Sequence, residues 1–486
     1  MAVIGGGING AGIAADAAGR GLRVALFEQG DLAGATSSAS TKLVHGGLRY
    51  LETYEFSLVR KALKESELLL HLAPHLIKPI SIRIPHMAHH RPWLLVRLGL
   101  FLYNHLARRP GYESARSIRF EKNGPLVSEL THGFSFSDGQ VDDARLVVIN
   151  ALQAARDLAD IYVRHECTGL HVAGELWEVA LKDKVSNTNK VIRARAVVNA
   201  TGPWVSQLME KAVGEKPINE VRLVKGSHLV VPRIQPRDQA YLLQNEDGRV
   251  VFVIPYLQDF SMIGTTEEEY SGDPGAVSIS NAETDYLLGI VNRYFSKPVK
   301  PEDIVQSFTG IRPLIDNKEK SATKASRDYQ LEFERTALPL LSVYGGKVTT
   351  YRVLAKQAVD RFAEIFPGLK PSNTRNIKLP GADFESPGKL REALLNKYPW
   401  LATDLLDRWI HSYGSLAFAI LEGADAPADL GIAFGHGLFQ REVDYLVQHE
   451  WAQTAQDILW RRTKLGLLFD TLQSSVLQDY LSGKLV

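Results

Sequence analysis

Cysteine is almost absent from this chain of 486 residues, in which Cys167 is the single cysteine. One thiol excludes an intramolecular disulfide, a cysteine-based zinc site and a redox-active CxxC pair. Proteins built without disulfides are typical of reducing compartments, so we expect a cytosolic protein.

An excess of charge of one sign is also lacking, because 56 lysines and arginines stand against 55 aspartates and glutamates and leave a net charge of +1. Proteins that bind nucleic acids generally carry a clear basic excess, which displaces the counterions of the phosphate backbone. We therefore expect no nucleic-acid partner.

Long apolar runs are missing as well. No stretch of about 18 uninterrupted apolar residues occurs, so we expect no transmembrane helix, and the N-terminus lacks the basic residues that begin a signal peptide. Hydrophobic residues make up 45% and charged residues 23% of the chain, which is typical of a soluble globular protein. At about 150 residues per domain, the length favours roughly three domains.

The N-terminal segment has the pattern of a βαβ unit with a glycine-rich turn. An apolar strand at Val3-Ile4 precedes the motif Gly5-x-Gly7-x-x-Gly10, and an alanine-rich helix and a buried strand follow at 13–18 and 22–27. Because the first strand is short, we expect the natural chain to begin further upstream.

This unit predicts a dinucleotide site. Gly5 permits the tight turn, Gly7 lets the backbone approach a pyrophosphate, and Gly10 allows helix and strand to pack closely. The N–H groups at the start of the helix bind phosphate. Glu28, at the end of the second strand, accepts hydrogen bonds from the adenosine ribose, which disfavours NADP.

The segment after Glu28 favours FAD over NAD. Residues 34–42 are rich in hydroxyl groups and are followed by the Gly46-Gly47 turn, a combination that can lie along a ribityl chain and a flavin ring. Two further strands, within 197–204 and 340–350, end in turns of small residues that can approach a flat cofactor. Each turn alone is as well explained by tight backbone geometry, but three such segments in one chain favour a flavin.

The rest of the chain predicts two further kinds of architecture. A helix capped by Asp142 precedes three strands, and from 223 to 264 long strands with a hairpin turn at 245–248 predict an antiparallel sheet. Ser280 and Glu283 form a capping box, to which we give a structural role. Beyond about residue 380 we predict helices at 390–397, 402–413, 439–450 and 454–468.

We therefore predict an α/β fold of three domains. An FAD-binding Rossmann-like domain takes residues 1–80, 135–215 and 335–370. An inserted antiparallel-sheet substrate domain takes 81–134 and 216–334. An all-α C-terminal domain takes 380–486.

Six segments carry a resemblance to a known family: GGGINGAGIAADAAGRG, TSSASTKLVHGGLRYLE, VNATGPWV, QNEDGRVVFVIPY, SFTGIRPL and YGGKVTTYR. They resemble the FAD-dependent glycerol-3-phosphate dehydrogenases, most closely the bacterial aerobic, respiratory type. The resemblance implies that the FAD-binding domain is of the amino-acid-oxidase and glutathione-reductase type. The likeness extends into the helical region at 446–451 and 459–464. The glycine motifs are shared with other amino-acid-oxidase-like and amine-oxidase-like flavoproteins, whereas 45–50 and 345–352 are more specific.

The resemblance implies the oxidation of sn-glycerol 3-phosphate to dihydroxyacetone phosphate in glycerol catabolism, with hydride transfer to FAD and electrons passed on to a membrane quinone. Three alternatives stay open: an oxidase of glycerol 3-phosphate that uses oxygen, an oxidase of an amino acid or amine, and a flavoprotein without turnover. The kind of quinone and the oligomeric state, a homodimer included, also stay open.

A phosphate substrate requires basic residues, because charge-assisted hydrogen bonds bind it most strongly. Arg49, Arg312 and Lys347 each lie beside a glycine-containing turn, and the family places matching residues around the substrate. We predict that these three residues bind substrate together with Tyr50 and Thr266. The base that accepts the hydroxyl proton is one of two histidines, His45 or His228, of which the sequence favours His45.

The predicted FAD-binding residues follow from the same segments. They are Gly5, Gly7, Ile8, Asn9, Gly10, Glu28, Thr36, Ser37, Ser38, Ser40, Lys42, Leu43, His45, Gly46, Gly47, Ala200, Thr201, Gly202, Trp204, Gly345, Gly346, Lys347, Val348 and Thr349.

No metal site is expected. The cluster His86, His89 and His90 lacks a cysteine or carboxylate at ligand spacing and lies between Arg83 and Arg91, so we interpret it as a basic solvated face.

Residues 91–110 predict a helix that lies in a membrane surface. The 17 residues between Pro92 and Pro110 would span about 25 Å, which is short of the roughly 30 Å hydrocarbon layer. Arg97, Asn104 and Arg108 share one helical face opposite leucine and aromatic residues. The alternative is that the apolar face packs inside the substrate domain. On the first interpretation, the protein is peripheral on the inner face of the cytoplasmic membrane.

Overall fold

The computed structural model describes residues 1–87, 91–214, 221–315, 328–334 and 338–484. His89 and His90 of the histidine cluster lie outside these ranges. The strands of the described residues are β1 (Ala2–Ile4), β2 (Ala25–Phe27), β3 (Leu43–Val44), β4 (Ile77–Pro85), β5 (Arg116–Arg119), β6 (His132–Val141), β7 (Asp160–Tyr162), β8 (His165–Ala173), β9 (Leu176–Asp183), β10 (Asn189–Ala194), β11 (Val197–Asn199), β12 (Val221–Pro232), β13 (Gln239–Gln244), β14 (Val250–Tyr256), β15 (Phe260–Gly264), β16 (Glu268–Tyr270), β17 (Gln306–Ile315), β18 (Gln330–Glu334), β19 (Leu340–Tyr344), β20 (Ala433–Gly435) and β21 (Leu438–Phe439).

The α-helices of the same ranges are α1 (Ile8–Gly19), α2 (Phe56–Leu72), α3 (Trp93–Leu106), α4 (Asp143–Arg156), α5 (Val205–Leu208), α6 (Asn281–Tyr294), α7 (Tyr351–Asp360), α8 (Pro387–Lys397), α9 (Thr403–Tyr413), α10 (Ala417–Ile420), α11 (Gln440–Glu450) and α12 (Thr471–Lys484). None of these helices combines the length and the apolar character that a membrane-crossing helix needs.

The N-terminal βαβ unit is present and forms the centre of a six-stranded sheet with the strand order β18-β19-β11-β1-β2-β7. Strand β1 pairs in parallel with β2 and β11, while β18 alone runs antiparallel to its neighbour. Helix α1 begins at Ile8, earlier than the alanine-rich stretch suggested, and packs against α4 and α7. The strands β1, β2, β11 and β19 are short and almost fully buried, as is typical of a sheet covered on both faces, whereas the edge strand β7 is partly exposed.

The second large sheet has ten strands in the described residues and is antiparallel except for the pair β4 and β13. The predicted hairpin joins β13 to β14, and Gly248 in its turn has a φ of +78°. Strand β12 pairs with both β15 and β17, which places Ser227 opposite Thr309. The sheet also includes β3 and all of β4, so it begins before residue 81, the predicted start of the substrate domain. The division into three domains stays a prediction.

The C-terminal region is mainly helical, with one short hairpin of β20 and β21, and has its own core around the fully buried Trp409. Three of its predicted helices correspond to α8, α9 and α11. The fourth prediction, an α-helix over 454–468, is wrong, because this stretch forms a π-helical turn at Asp457–Arg462 and a 3-10 turn at Leu465–Leu467. Lys464 has a φ of +61°, which breaks the helical path between the two turns.

Candidate active site

One large cavity of about 1750 Å³ is lined by residues of both large sheets. A cavity of this size exceeds the usual range for a small ligand and suits a dinucleotide together with a substrate. Most of the predicted site residues line it: Gly5, Gly7, Ile8, Asn9, Glu28, Thr36, Ser37, Ser40, Leu43, His45, Gly47, Arg49, Tyr50, Ala200, Thr201, Gly202, Trp204, Thr266, Arg312, Gly345, Gly346, Lys347, Val348 and Thr349. Five predicted residues do not line it, namely Gly10, Ser38, Lys42, Gly46 and His228.

The glycine-rich turn lies tightly against the end of β11. Gly5 has a φ of +111°, and a Cβ atom there would lie 2.5 Å from the carbonyl oxygen of Ala200. A Cβ atom at Gly10 would lie 1.9 Å from the carbonyl oxygen of Gly5. Side chains at these two positions would therefore displace the turn, which brings the N-terminus of α1 to the cavity wall.

Glu28 lies at the wall of the cavity with its carboxylate held by the backbone. Oε2 accepts a hydrogen bond from the N–H of Gly6 and Oε1 accepts one from the N–H of Gly30, each at 2.7 Å. Each oxygen retains a further lone pair for a ribose hydroxyl. Burial raises the pKa of Glu28 from its ordinary value, against the opposing effect of these hydrogen bonds.

The hydrogen bonding of Asn9 shows whether this wall of the cavity fits FAD. Its Nδ2 donates to the carbonyl oxygen of Gly345 at 3.0 Å, while its buried Oδ1 has no hydrogen-bond partner among the described residues. A Cβ atom at Gly346 would lie 2.8 Å from Nδ2 of Asn9, so the backbone passes closely there. An unsatisfied acceptor, a backbone cradle and a helix N-terminus in one wall fit a flat, hydrogen-bonding dinucleotide.

The hydroxyl-rich loop at 34–42 was predicted to bind the cofactor through its hydroxyl groups. In the structure, several of these hydroxyl groups donate to protein atoms instead. Thr36 donates to the carbonyl oxygen of Ile311 at 2.6 Å, and Ser38 donates to that of Ala35. Ser40 donates to Asp143 at 2.7 Å. These bonds tie the loop to β17 and α4, and so they shape the cavity wall.

Lys42 also helps to hold the hydroxyl-rich loop against α4. Its buried ammonium donates to both carboxylate oxygens of Asp143, at 2.8 and 3.0 Å, and to the carbonyl oxygen of Ser38. The side chain lies behind the loop, outside the cavity lining.

Three basic residues, Lys347, Arg312 and Arg49, line one part of the cavity, which we call its basic end. The ammonium of Lys347 lies 4.0 Å from the ring centroid of Tyr50, and its buried Nζ has no hydrogen-bond partner among the described residues. Among the described residues, Arg312 donates to the Thr265 hydroxyl at 3.1 Å and to the carbonyl oxygen of Thr266 at 3.5 Å, both of which are neutral groups. Arg49 forms a looser ion pair with Glu267, with the charged atoms 3.7 Å apart.

Thr266 lines the same end, but its hydroxyl is engaged. It donates to Oε1 of Glu283 at 2.6 Å and accepts from the N–H of Ser227. Glu283 completes the predicted capping box of α6 and also binds Lys225 at 2.7 Å. Although burial opposes ionisation, these donors lower the pKa of Glu283 to about 2. The capping box therefore holds Thr266 in place at the basic end of the cavity.

The two candidate bases occupy different environments. His45 lines the cavity, and its backbone N–H donates to the hydroxyl of Thr349 at 3.1 Å. His228 is only 1% exposed, lies outside the lining and stacks on the ring of Phe308. Burial, with Arg312 nearby, lowers the pKa of His228 well below its ordinary value. The placement favours His45 as the residue that contacts substrate.

Sequence reasoning missed several cavity residues. Asp138 lines the cavity and accepts hydrogen bonds from Tyr103, whose hydroxyl accepts in turn from the N–H of Gly46. Burial raises the pKa of Asp138 to about 6, against the opposing effect of Arg109. No local motif marks this group, because its members lie on α3, β6 and the loop after β3.

The C-terminal region also reaches the cavity, through Gln456 and Arg461. The segment 459–464 stood out in the sequence only as part of a family resemblance. Two adjacent arginines in a mostly helical region were the signal that could have pointed to this wall.

Two family models match the chain. Residues 1–352 match the model described as FAD dependent oxidoreductase, and residues 372–479 match the one described as C-terminal domain of alpha-glycerophosphate oxidase. The glycerol-3-phosphate dehydrogenase of Pseudomonas aeruginosa is 49% identical, over 100% of this chain and 95% of that protein. The aerobic glycerol-3-phosphate dehydrogenase of Escherichia coli is 46% identical, over 99% and 97%.

This chain belongs to the FAD-dependent glycerol-3-phosphate dehydrogenases. It is an FAD-dependent oxidoreductase, as the glycine turn, Glu28 and Asn9 indicate. The structure of the glycerol-3-phosphate dehydrogenase from Bacillus halodurans complexed with FAD is similar over 100% of this chain and 94% of that one, with a TM-score of 0.76 and 27% identity.

One similar protein carries a different substrate name. The D-erythritol 1-phosphate dehydrogenase of Brucella abortus is 45% identical to this chain, over 95% of the chain and 93% of that protein. Both named substrates are monophosphates of small polyols. The phosphate group is therefore the feature that the two named substrates share.

Proposed function

We propose that this protein oxidises sn-glycerol 3-phosphate to dihydroxyacetone phosphate and passes the electrons through FAD to a membrane quinone. The observation that carries the proposal is the buried ammonium of Lys347, which has no hydrogen-bond partner among the described residues. A buried cation is costly unless an anion approaches it. Arg312 lines the same cavity, and its hydrogen bonds among the described residues go to the neutral Thr265 and Thr266, so the pair suits a phosphate dianion.

The remaining groups supply the proton chemistry. Arg312, Lys347 and Arg49 bind and orient the phosphate, while His45 accepts the proton of the secondary hydroxyl group as its carbon loses a hydride. The hydroxyl of Thr349 fixes the backbone of His45. When bound, FAD supplies the hydride acceptor. The alcohol thereby becomes a ketone, with the proton on His45 and the electron pair on the cofactor.

A second candidate is the oxidation of D-erythritol 1-phosphate, which the Brucella relative favours. Anaerobic addition of each compound to the yellow protein separates the candidates by loss of flavin absorbance. We expect bleaching by sn-glycerol 3-phosphate at lower concentration than by D-erythritol 1-phosphate, and none by glycerol or amino acids. The reverse order would make the four-carbon phosphate the substrate, and bleaching by an amino acid alone would refute both.

Peripheral attachment to the inner face of the cytoplasmic membrane is part of the proposal, and helix α3 supports it. Val96, Leu100 and Tyr103 are buried against the protein. The outward side is apolar: Leu94 is 74% exposed and Phe101 56% exposed. The buried face agrees with the alternative that α3 packs inside the protein, and the exposed apolar face supports the proposed contact with a membrane. The cavity reaches α3, since Leu95, Leu98, Gly99 and Leu102 line it, and an apolar quinone could enter from a membrane beneath this helix.

Sedimentation with vesicles of anionic lipid tests this attachment. We expect the wild type to pellet, less so at high salt because exposed Arg97 on α3 and exposed Arg108, which lies beyond the end of the helix and so not on its expected polar face, contribute. The double variant Leu98→Asp, Phe101→Asp should remain in the supernatant with its FAD bound. The control is Leu472→Asp, Val476→Asp on α12, where the side chains are 73% and 47% exposed. Equal pelleting of both variants, or none by the wild type, would remove α3 from the proposal.

A further inference from the structure

We propose that the C-terminal region forms part of the FAD site, with Arg461 acting as a cofactor-positioning residue at the adenosine end. This inference does not depend on which polyol phosphate is oxidised. It goes beyond the glycine turn and Glu28, because it assigns cofactor binding to a region more than 400 residues away in the chain.

The first observation is contact with the cavity. Gln456 and Arg461 line it together with Glu28, Gly30 and Arg164. Glu28 is the acidic residue at the end of β2, where a ribose binds in this kind of unit. The π-helical turn at Asp457–Arg462 therefore lies at the adenosine end, and the region is a wall of the site.

The second observation is a set of ion pairs that fixes this wall. Arg461 donates through Nε to Asp31 and through Nη2 to Asp457. Arg462 donates to both carboxylate oxygens of Asp31, at 2.7 and 2.8 Å. Arg164 donates to Asp457 at 2.6 and 2.7 Å. Asp31 and Arg164 belong to the N-terminal part of the chain, so the two parts are joined at the rim of the cavity.

The third observation is the charge balance of this group. Four carboxylates, Glu28, Asp31, Glu450 and Asp457, stand beside four guanidinium groups, those of Arg145, Arg164, Arg461 and Arg462. The loss of Arg461 leaves a net negative charge beside a cofactor that itself carries two phosphates. Repulsion in a partly buried site is weakly screened by solvent, and it should weaken FAD binding.

A matched pair of variants separates cofactor positioning from simple docking of the C-terminal region. Arg461→Leu removes the side chain that lines the cavity. Lys464→Met removes another buried ion pair between the same two parts, Lys464 with Asp142 at 2.7 Å, and neither of these residues lines the cavity. Flavin fluorescence during titration of the apoprotein with FAD gives the dissociation constant without any turnover.

We expect Arg461→Leu to raise the dissociation constant for FAD by about tenfold or more, and Lys464→Met to change it less than about twofold. Arg461→Lys keeps the charge and should retain most of the affinity. If Arg461→Leu and Lys464→Met weaken FAD binding equally, the C-terminal region only docks on the rest of the protein and the proposal is overturned. Unchanged FAD affinity in both variants would overturn it as well.

If Arg461→Leu does not fold, Gln456→Ala provides the test, since it removes a cavity-lining side chain without breaking an ion pair. We expect it to weaken FAD binding about threefold, and unchanged affinity would overturn the proposal.

Discussion

The ammonium of Lys347 lies 4.0 Å from the ring centroid of Tyr50, so the π-face of the ring is the described contact of this buried cation. A ring face attracts a cation without neutralising it, because its electrostatic field is that of a quadrupole. The contact therefore holds the ammonium in place and leaves its full charge for an anionic substrate.

The first prediction concerns the ring of Tyr50. Tyr50→Phe keeps the π-face, whereas Tyr50→Leu removes it and should weaken substrate binding by about 0.5–2 kcal/mol, or roughly 2–30-fold in KM. Steady-state kinetics of both FAD-loaded variants provide the measurement. If the KM of Tyr50→Phe rises as much as that of Tyr50→Leu, substrate binding depends on the hydroxyl group of Tyr50 and not on its ring face.

The second prediction concerns Arg312. Arg312→Ala should lower kcat/KM for the phosphate substrate by roughly 10–150-fold, the value of one charge-assisted hydrogen bond of about 1.5–3 kcal/mol. The FAD content should stay unchanged, because the described contacts of Arg312 are at the substrate end. Glu28→Ala is the matched variant at the cofactor site, and it should weaken FAD retention before it changes the kinetics with substrate. An Arg312→Ala protein that loses FAD but shows normal kinetics once reconstituted would contradict the assignment.

The third prediction separates the two histidines. His45→Gln should slow flavin reduction by substrate about 100-fold or more and abolish the acidic limb of its pH profile, because the cavity-lining residue accepts the proton. His228→Gln should keep that limb, since its ring is buried outside the lining and bonded to Thr41. Stopped-flow absorbance over a range of pH gives both results. Loss of the acidic limb in His228→Gln alone would transfer the role of base to His228.

The fourth prediction concerns stability in acid. His75 is 4% exposed, and burial, aided by Arg145, lowers its pKa from 6.5 to about 3. Because the unfolded chain binds this proton and the folded chain does not, stability is retained above pH 6.5 and falls as the pH drops below it. The loss between pH 7 and pH 5 amounts to about 2 kcal/mol for one such histidine.

Urea unfolding at the two pH values checks this effect. His75→Leu should reduce the difference in unfolding free energy between pH 7 and pH 5 by about 2 kcal/mol. His71→Leu is the control on α2, because its side chain is 69% exposed. The same pH dependence in wild type and His75→Leu would mean that another group is responsible.

Local patterns in the sequence were sufficient where neighbouring residues determine the structure. The glycine turn before α1, the hairpin between β13 and β14 and the capping box of Ser280 and Glu283 all depend on residues a few positions apart. These features identify the dinucleotide unit and the presence of an antiparallel sheet.

Interactions between distant parts of the chain could not be predicted in this way. The pairing of Arg49 with Glu267 joins the turn after β3 to the segment between β15 and β16, and the burial of His228 depends on the position of Phe308. Hydroxyl groups such as that of Thr36 were predicted to bind the cofactor, yet Thr36 donates to Ile311. Composition shows that a donor is present, but only the fold determines its acceptor.

The most direct test of the central claim is the anaerobic rate of flavin reduction by sn-glycerol 3-phosphate and by glycerol, measured in the wild type and in Lys347→Met. We expect sn-glycerol 3-phosphate to reduce the wild type and glycerol not to reduce it measurably, and we expect Lys347→Met to need roughly 10–150-fold more sn-glycerol 3-phosphate for the same rate. Lys356→Met, a surface lysine paired with Asp360, should behave as the wild type does. A wild-type flavin that sn-glycerol 3-phosphate leaves oxidised, or that glycerol reduces equally well, would contradict the account.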